Sequence, residues 1–404
     1  MNIENNSHDA PVYGAATLAL HGDDSLNALT DVTPPIHMTT TFRFPDETEG
    51  CVENKADNRW HMYARYSSPN TSRLEVILST LLHGHVVSYN SGLAAINAMV
   101  TYFRPSVIAI GVGYHGSHKV IGIHQKLRDL KKVDLFDETS WDAAGLGKGD
   151  IVHVETPLNP SGEAVDLSYF ATKAHQRGAI LTVDATFGPP GLQDPFIHGA
   201  DVAMHSGSKY FGGHSDVLCG VLAVRNQEWH KGLLEERSYI GSVLGAMESW
   251  LVVRSLRTLE VRIQRESANA EALVQWLDNA LNGQGDEMIR HTLEQVQHAS
   301  LQKQALQDGW LKTQMPNGYG PVFAMWMKRK EDAERFPRLL ELFHHAVSLG
   351  GVESLIEWRW KSDKSVDPRL LRVSVGLERV EDLKRDMMHA FQQLAQSSCS
   401  HKFT

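Results

Sequence analysis

The alternation of hydrophobic and polar positions predicts strands that alternate with helices from about residue 74 to residue 224. Apolar residues at positions 93, 96, 99, 100 and 103 follow the 3.6-residue period of an amphipathic helix over 92–103. Two further helices are predicted at 117–130 and 166–178. Apolar runs predict strands at 106–113, 132–136, 150–157, 179–187, 201–206 and 219–224. Such alternation is typical of a doubly wound, mostly parallel α/β sheet.

A second region begins near residue 246 and has a different pattern. Residues 246–281 form an unbroken amphipathic stretch that predicts one long helix joining two domains. After it the pattern predicts a strand at 320–327, a helix at 336–350 and a strand at 370–378. We therefore expect an N-terminal arm over 1–60 that contacts a neighbouring subunit, a large domain over 61–245, and a smaller C-terminal α+β domain over 246–404.

Composition and charge exclude several classes of protein. A chain of 404 residues is too long for one compact core, and its 42% hydrophobic and 22% charged residues are ordinary for a globular enzyme. The net charge of −9 without a basic cluster argues against a nucleic-acid partner. Short apolar runs, and an N-terminus unlike a signal peptide, predict neither a membrane span nor secretion. Three scattered cysteines form no disulfide framework, which favours a reducing cytoplasmic location: Cys51, Cys219 and Cys399.

Polar residues follow almost every predicted strand of the large domain. In open α/β sheets ligands bind outside the carboxyl ends of the strands, so these residues are the candidates for a site. They are Ser91, Gly92, Leu93, Tyr114, Glu155 to Asn159, Asp184, and Ser206 to Lys209.

This set of residues suits a phosphorylated aromatic aldehyde. The segment Ser91-Gly92-Leu93 opens a helix whose free backbone N–H groups bind phosphate, and Ser206 and Ser208 add hydroxyl donors. An acid can pair with a ring nitrogen, an aromatic ring can stack, and a lysine can form an imine with the aldehyde. Those three roles fall to Asp184, Tyr114 and Lys209, which together match pyridoxal phosphate (PLP).

Each of these residues taken alone has a simpler interpretation. An isolated Ser-Gly-Leu is a weak phosphate signal, most such aspartates cap turns, and most lysines lie on the surface. A metal site is also conceivable, but the histidine spacings fit no common zinc pattern, so we expect no metal. The histidines concerned are His115, His118, His124, His205 and His214. The joint order of the polar groups, each at a strand end, favours the cofactor.

Several longer motifs strengthen this interpretation. Together they resemble the Cys/Met-metabolism family of PLP enzymes, the cystathionine γ-synthase group, over roughly residues 15–390. The resemblance implies PLP fold type I, the fold of aspartate aminotransferase. The motifs are YARYSSPNTSRLE (63–75), SGLAA (91–95), ETPLNPSG (155–162), VDATF (183–187), HSGSKYFGGHSD (205–216), VSLGGVESL (347–355) and LLRVSVGLE (370–378).

The resemblance also implies a role for each matching residue. Lys209 is expected to carry the cofactor and to act as the catalytic base. Tyr114 is expected to stack on the ring and to share in acid–base catalysis. Tyr63 and Arg65 are expected to reach the phosphate of a neighbouring subunit, which implies a homodimer as active unit and a homotetramer as assembly. The remaining expected cofactor contacts are Ser91, Gly92, Leu93, Asn159, Asp184, Thr186, Ser206 and Ser208. The substrate carboxylate is expected to bind Asn159, Ser348 and Arg372.

The chain departs from the family pattern at places that concern the substrate. The usual Tyr-Gly-x-Thr turn is YHGS at 114–117, and the usual Asn-Pro-Thr is SSPNT at 67–71. The family's Met-Thr-His segment is replaced by IEWRWKSDKSVDPRLL at 356–371. Val347 stands before Ser348, where members that bind the amino group of cysteine often carry glutamate.

The functional hypothesis is γ-replacement on an O-acetyl- or O-succinyl-L-homoserine by a PLP-dependent transferase. The C-terminal pattern resembles fungal trans-sulfuration-type enzymes of secondary metabolism, which makes a carbon nucleophile such as a β-keto acid one of the options. Cysteine, giving cystathionine, is the other nucleophile considered. The alternatives are a γ-lyase or β-lyase of sulfur amino acids and, more distantly, a non-catalytic PLP-fold binding protein.

Overall fold

Two β-sheets organise the part of the chain that the structure, a computed structural model, describes. The described residues are 13–27, 30–44 and 61–400. Residues 1–12, 28–29 and 45–60 of the predicted arm, and residues 401–404, lie outside them.

The first sheet has seven strands and the mostly parallel order that the sequence predicts. In space the strands follow the order β1-β7-β6-β5-β4-β2-β3. All neighbouring pairs are parallel except those made by β7, which is antiparallel to β1 and to β6. The prediction of a doubly wound sheet is confirmed. The strands are β1 (His85–Tyr89), β2 (Val107–Ile110), β3 (Lys131–Asp134), β4 (Ile151–Glu155), β5 (Ile180–Asp184), β6 (Val202–Ser206) and β7 (Gly220–Val224).

Helices cover both faces of this sheet. Successive residues of a strand point to opposite faces, so Val221 and Ala223 of β7 join one hydrophobic core while Leu222 and Val224 join the other. Burial on both faces explains why the strands read as continuous apolar runs. The α-helices from the N-terminal region to residue 256 are α1 (Ala15–His21), α2 (Pro69–Leu81), α3 (Gly92–Phe103), α4 (His115–Leu127), α5 (Glu138–Ala144), α6 (Leu167–Gln176), α7 (Gln227–Ile240) and α8 (Ala246–Leu256).

The second sheet lies in the C-terminal region and has five strands in the order β10-β11-β12-β9-β8. Its own hydrophobic core includes Phe323, Phe336 and Phe391. None of the described helices has both the length and the hydropathy needed to cross a membrane. The strands are β8 (Leu293–Gln297), β9 (Val322–Met327), β10 (His344–His345), β11 (Leu355–Trp358) and β12 (Leu370–Ser374). The helices are α9 (Leu259–Leu281), α10 (Glu287–Thr292), α11 (Lys303–Gln307), α12 (Trp310–Gln314), α13 (Lys330–Leu339), α14 (Arg359–Ser362) and α15 (Val380–Ser400).

The prediction of a single helix over 246–281 is wrong, because α8 ends at Leu256 and α9 starts at Leu259. Thr258 leaves the helical conformation, and its hydroxyl donates to the Ser255 carbonyl oxygen at 3.2 Å. Hydroxyl side chains compete with the helical hydrogen bonds in this way. Residues of α8 belong to the core of the first sheet, whereas most of α9 packs on the second.

The predicted helix at 336–350 is also wrong in its limits. The helix present, α13, lies earlier and ends at Leu339. Beyond it the backbone N–H groups of Glu341 and Leu342 donate to the Asp386 carboxylate, both at 2.9 Å. Because a side chain on α15 satisfies these groups, the helix does not continue, and the chain forms β10 instead.

The described part of the N-terminal region contains a helix that packs on its own chain. The backbone N–H of Ala16 in α1 donates to Glu260 at 2.9 Å, and Asp23 forms a buried ion pair with Arg73 at 2.8 Å. Contact of this region with a neighbouring subunit stays a prediction, as do the domain limits.

Candidate active site

The carboxyl ends of three adjacent parallel strands bring acidic and hydroxyl side chains together. Strands β4, β5 and β6 end at Glu155, Asp184 and Ser206. Asp184 pairs in register with Glu155 on one side and with Met204 on the other. The predicted position of the site, at this edge of the sheet, is where the polar groups meet.

Asp184 is held by hydrogen bonds that occupy only one of its two oxygens. The Thr186 backbone N–H and hydroxyl donate to Asp184 Oδ1 at 3.0 and 2.5 Å, and the Ser206 backbone N–H donates to the Thr186 hydroxyl at 2.9 Å. Burial raises the pKa of Asp184. Within the described residues no hydrogen bond reaches Oδ2, so this oxygen is available to a protonated ring nitrogen.

Lys209 lies at the centre of a set of contacts between the two sheets. Its Nζ donates to the Ser348 hydroxyl at 2.7 Å. Arg372 donates to the Ser348 carbonyl oxygen at 2.7 Å and to Asn159 Oδ1 at 3.2 Å. The three predicted substrate-binding residues therefore meet beside the predicted catalytic lysine.

The surroundings of Lys209 favour its neutral, nucleophilic form. Burial lowers the pKa of Lys209 to about 8, and the positive charge of Arg372 lowers it as well, whereas Glu357 opposes the shift. Gly350 makes the close approach possible, because a Cβ atom at this position would lie 3.0 Å from the Cβ of Lys209. Its φ of +79° is also one that glycine adopts readily.

The start of α3 forms a second wall of the site. Ser91 caps this helix, since its hydroxyl accepts from the Ala94 backbone N–H at 3.1 Å. A Cβ at Gly92 would lie 3.0 Å from Ser206 Cβ, so glycine lets the helix start approach β6. The free N–H groups of the first turn can hold a phosphate here. The Ser208 hydroxyl accepts from the Cys219 backbone N–H at 2.9 Å.

Tyr114 lies directly before α4, and its ring packs across the start of that helix. A Cβ at Gly116 would lie 2.4 Å from Tyr114 Cε1 and 2.8 Å from Leu93 Cδ2. The unusual glycine at position 116 therefore makes room for the Tyr114 ring beside Leu93. Burial raises the pKa of the Tyr114 hydroxyl, and the carboxylates of Asp184 and Glu155 raise it further.

Glu155 is a site residue to which the sequence analysis assigned no role. Its two oxygens accept from the backbone N–H groups of Tyr114 at 2.7 Å and Asn159 at 2.8 Å, so it connects the loops that carry both residues. Burial, and then the neighbouring Asp184 carboxylate, raise the pKa of Glu155 to about 8. The signal for this role was an acid at the end of a buried apolar strand.

Tyr63 and Arg65 do not join this cluster within the chain. Arg65 donates to the Ser238 carbonyl oxygen at 2.7 Å, and its guanidinium lies over the rings of Tyr63 and Tyr66. Among the described residues, no hydrogen bond or ion pair links Tyr63 or Arg65 to another predicted site residue.

The residues present fit a PLP site. The glycine at 92 lets the start of α3 approach Ser206 at the end of β6, Asp184 has an available oxygen, and Lys209 has a depressed pKa. This donor set is the one that a phosphorylated pyridine aldehyde requires. The fold and the site thus define a PLP-dependent enzyme of fold type I.

The comparisons with known proteins identify the family. The chain belongs to the Cys/Met metabolism PLP-dependent enzyme family, whose model matches residues 16–392. It is 32% identical to cystathionine gamma-synthase of Escherichia coli (strain K12) over 378 residues, covering 89% of this chain and 93% of that protein. It is 30% identical to L-methionine gamma-lyase of Pseudomonas deceptionensis over 408 residues, covering 95% and 98% of the two chains.

A solved structure agrees with this assignment. Cystathionine gamma synthase from Xanthomonas oryzae pv. oryzae, in complex with cystathionine, matches with a TM-score of 0.81 and 28% identity, covering 95% of this chain and 98% of that one. The predictions of family, fold class and cofactor are confirmed, and the chain is a PLP-dependent enzyme. Because both synthases and lyases occur among the relatives, the particular reaction belongs to the proposal that follows.

Proposed function

We propose that this enzyme catalyses γ-replacement on an O-acyl-L-homoserine. In this reaction the Cγ–O bond breaks and releases acetate or succinate, and Cγ bonds to a nucleophile that loses a proton. The observation that carries the proposal is the contact series from Lys209 through Ser348 to Arg372 and Asn159. A guanidinium that can bind a carboxylate lies beside an amine that can move protons, which supports the proposal.

The residues of this series have separate roles. Arg372, oriented by Asn159 and Ser348, binds the α-carboxylate of the amino acid. Lys209 Nζ removes the proton from Cα, which its depressed pKa favours at neutral pH. When bound, PLP supplies an electron sink for the charge that this proton leaves behind, and Asp184 supports the sink by pairing with the ring nitrogen.

The remaining predicted residues hold the cofactor. The start of α3 at Ser91, Gly92 and Leu93, together with Ser206 and Ser208, binds the phosphate. We infer that Tyr63 and Arg65 complete the phosphate site of a neighbouring subunit, since they make no contact with the site of their own chain among the described residues. A homodimer is then the active unit, and a homotetramer is the proposed assembly.

A carbon nucleophile fits the entrance of the site better than cysteine does. Val347 stands where family members that bind the amino group of cysteine often carry glutamate, and its side chain is 66% exposed. An exposed valine offers no partner to an ammonium group. A β-keto acid has no amino group, so the absence of glutamate does not weaken its binding.

The proposal is tested by mass spectrometry of the products. Purified holoenzyme is incubated with O-acetyl-L-homoserine alone, with cysteine, and with acetoacetate. An adduct that appears only with one nucleophile supports γ-replacement and identifies the class of that nucleophile. If 2-oxobutanoate is the sole product in all three reactions, the enzyme is a γ-lyase and the proposal fails.

A further inference from the structure

A buried cluster of alternating charge lies next to the carboxylate-binding arginine. Glu357 of β11 is directly opposite Arg372 of β12, and the two side chains form an ion pair at 2.7 Å. Arg359 donates to both oxygens of Glu357, at 3.1 and 3.2 Å, and the Ser362 hydroxyl donates to one of them at 2.5 Å. All of the hydrogen-bonding capacity of Glu357 is thereby used.

This cluster continues the contact series of the active site. The connection runs from Lys209 through Ser348 and Arg372 to Glu357 and Arg359. With Lys209 neutral, the series contains two cations, Arg372 and Arg359, and one carboxylate, Glu357. Buried charges require partners, and Glu357 supplies only one carboxylate to two guanidinium groups.

Arg359 keeps unused donors although its side chain is 91% buried, since only 9% is exposed. Its Nε is buried and has no hydrogen-bond partner within the described part of the chain. Both of its bonds to Glu357 come from a single nitrogen, Nη1. A buried guanidinium donor without an acceptor is costly, which indicates that Arg359 is built to receive an acceptor from outside the chain.

Arg359 lies in a segment that departs from the family pattern. This segment, 356–371, replaces the family's Met-Thr-His. It therefore brings a buried arginine next to the ion pair of Glu357 with Arg372.

We propose that Arg359 is a specificity-determining residue that binds a second carboxylate, separate from the α-carboxylate held by Arg372. This inference rests on the proposed γ-replacement. Two reacting groups can carry this second carboxylate: the nucleophile, if it is a β-keto acid, or the leaving group, if the substrate is a succinyl ester. A planar guanidinium with two free donor directions suits either carboxylate.

Three substrate combinations distinguish these sources in steady-state kinetics of wild-type enzyme and R359Q. The first is O-acetyl-L-homoserine with acetoacetate, which has a carboxylate on the nucleophile. The second replaces acetoacetate by acetylacetone, an uncharged carbon acid, and the third uses O-succinyl-L-homoserine with acetylacetone. We expect R359Q to raise the KM of the reactant that carries the second carboxylate, acetoacetate in the first combination or O-succinyl-L-homoserine in the third, by about tenfold or more, as loss of a charged hydrogen bond implies. In the second combination, O-acetyl-L-homoserine with acetylacetone, the KM values should change by less than about twofold.

Two matched variants control for structural effects. R385Q removes an arginine that also pairs with a carboxylate, Asp382 at 3.2 Å, but on the exposed face of α15, and it should leave all KM values unchanged. R359K keeps the charge and should give KM values between those of wild type and R359Q. If R359Q raises KM equally with all three combinations, Arg359 only supports Arg372 through Glu357, and the proposal fails. Unchanged KM values in all three combinations would also overturn the proposal.

A binding measurement separates this proposal from the proposed reaction. Holoenzyme saturated with L-2-aminobutyrate, which has no γ-leaving group, is titrated with 4-oxopentanoate in a calorimeter. Wild-type enzyme should bind this keto acid at least about tenfold more tightly than R359Q, whether or not γ-replacement occurs. Equal affinity in the two proteins would refute the carboxylate site, whereas a missing adduct with normal binding would refute only the reaction.

Discussion

Deprotonation of Lys209 near neutral pH is the property of the site that the structure predicts most quantitatively. Burial and Arg372 lower the pKa of Lys209 from 10.5 to about 8. At pH 7 about one in ten of the molecules would then carry neutral Lys209, against about one in 3,000 for an ordinary lysine. The neutral fraction is thus about 300-fold larger, but a less basic amine is also a weaker nucleophile, so the apoenzyme should capture PLP about 20-fold faster at pH 7 than an unperturbed lysine would allow.

The assay is stopped-flow reconstitution of apoenzyme with PLP between pH 6 and 10, followed through the absorbance of the imine. The rate should rise with pH and level off above a midpoint of about 8. Because Lys209 in the unfolded chain keeps the pKa of 10.5, the apoenzyme should also gain stability with rising pH from about 8 to 10.5. A lysine-containing peptide titrated in parallel provides the unperturbed reference. A midpoint near 10 in the apoenzyme would refute the reasoning.

Three further predictions concern other parts of the site. D184N should retain PLP but lose about 100-fold or more in kcat, because the ring nitrogen loses its anionic partner. Absorbance spectra report whether PLP is bound, and a kcat within a few fold of wild type would contradict this role of Asp184. G116A should displace the Tyr114 ring and alter the circular dichroism of the bound cofactor. G122A lies on the same helix, has nothing within 4 Å of the added Cβ, and should leave the spectrum unchanged. Identical spectra for the two variants would contradict the placement of the Tyr114 ring. The Arg65→Ala and Lys209→Ala variants should each be inactive alone but recover about one quarter of wild-type activity when they are refolded together. Half of a random mixture is heterodimer, and each heterodimer has one intact site out of two. No recovery would contradict a site shared between subunits.

Much of the large domain could be predicted because its periodic signals are local. Strands buried on both faces read as apolar runs, and the edge at which parallel strands end is fixed by topology, so Asp184 and Ser206 were placed correctly. The motifs assigned Asn159, Ser348 and Arg372 to one substrate carboxylate, and the structure brings these three residues into contact, while their role stays a prediction.

What the sequence did not reveal depends on contacts between distant segments. The limits of α13 depend on Asp386, which lies more than 40 residues away and binds the backbone N–H groups that would continue the helix. The break at Thr258 depends on a single hydroxyl. The sequence pattern marked Glu155 only as an acid at the end of a strand and did not mark Arg359, because both residues acquire their roles only when the loops they contact are folded.

The measurement that tests the central claim most directly is a carbon-13 NMR time course with O-acetyl-L-homoserine labelled at C4. In γ-replacement this carbon stays a methylene and gains a bond to the nucleophile, so with acetoacetate we expect a new methylene signal as acetate is released. In γ-elimination the same carbon becomes the methyl group of 2-oxobutanoate. A labelled methyl signal that grows at the same rate with and without nucleophile would contradict the assignment of this enzyme as a γ-replacement catalyst.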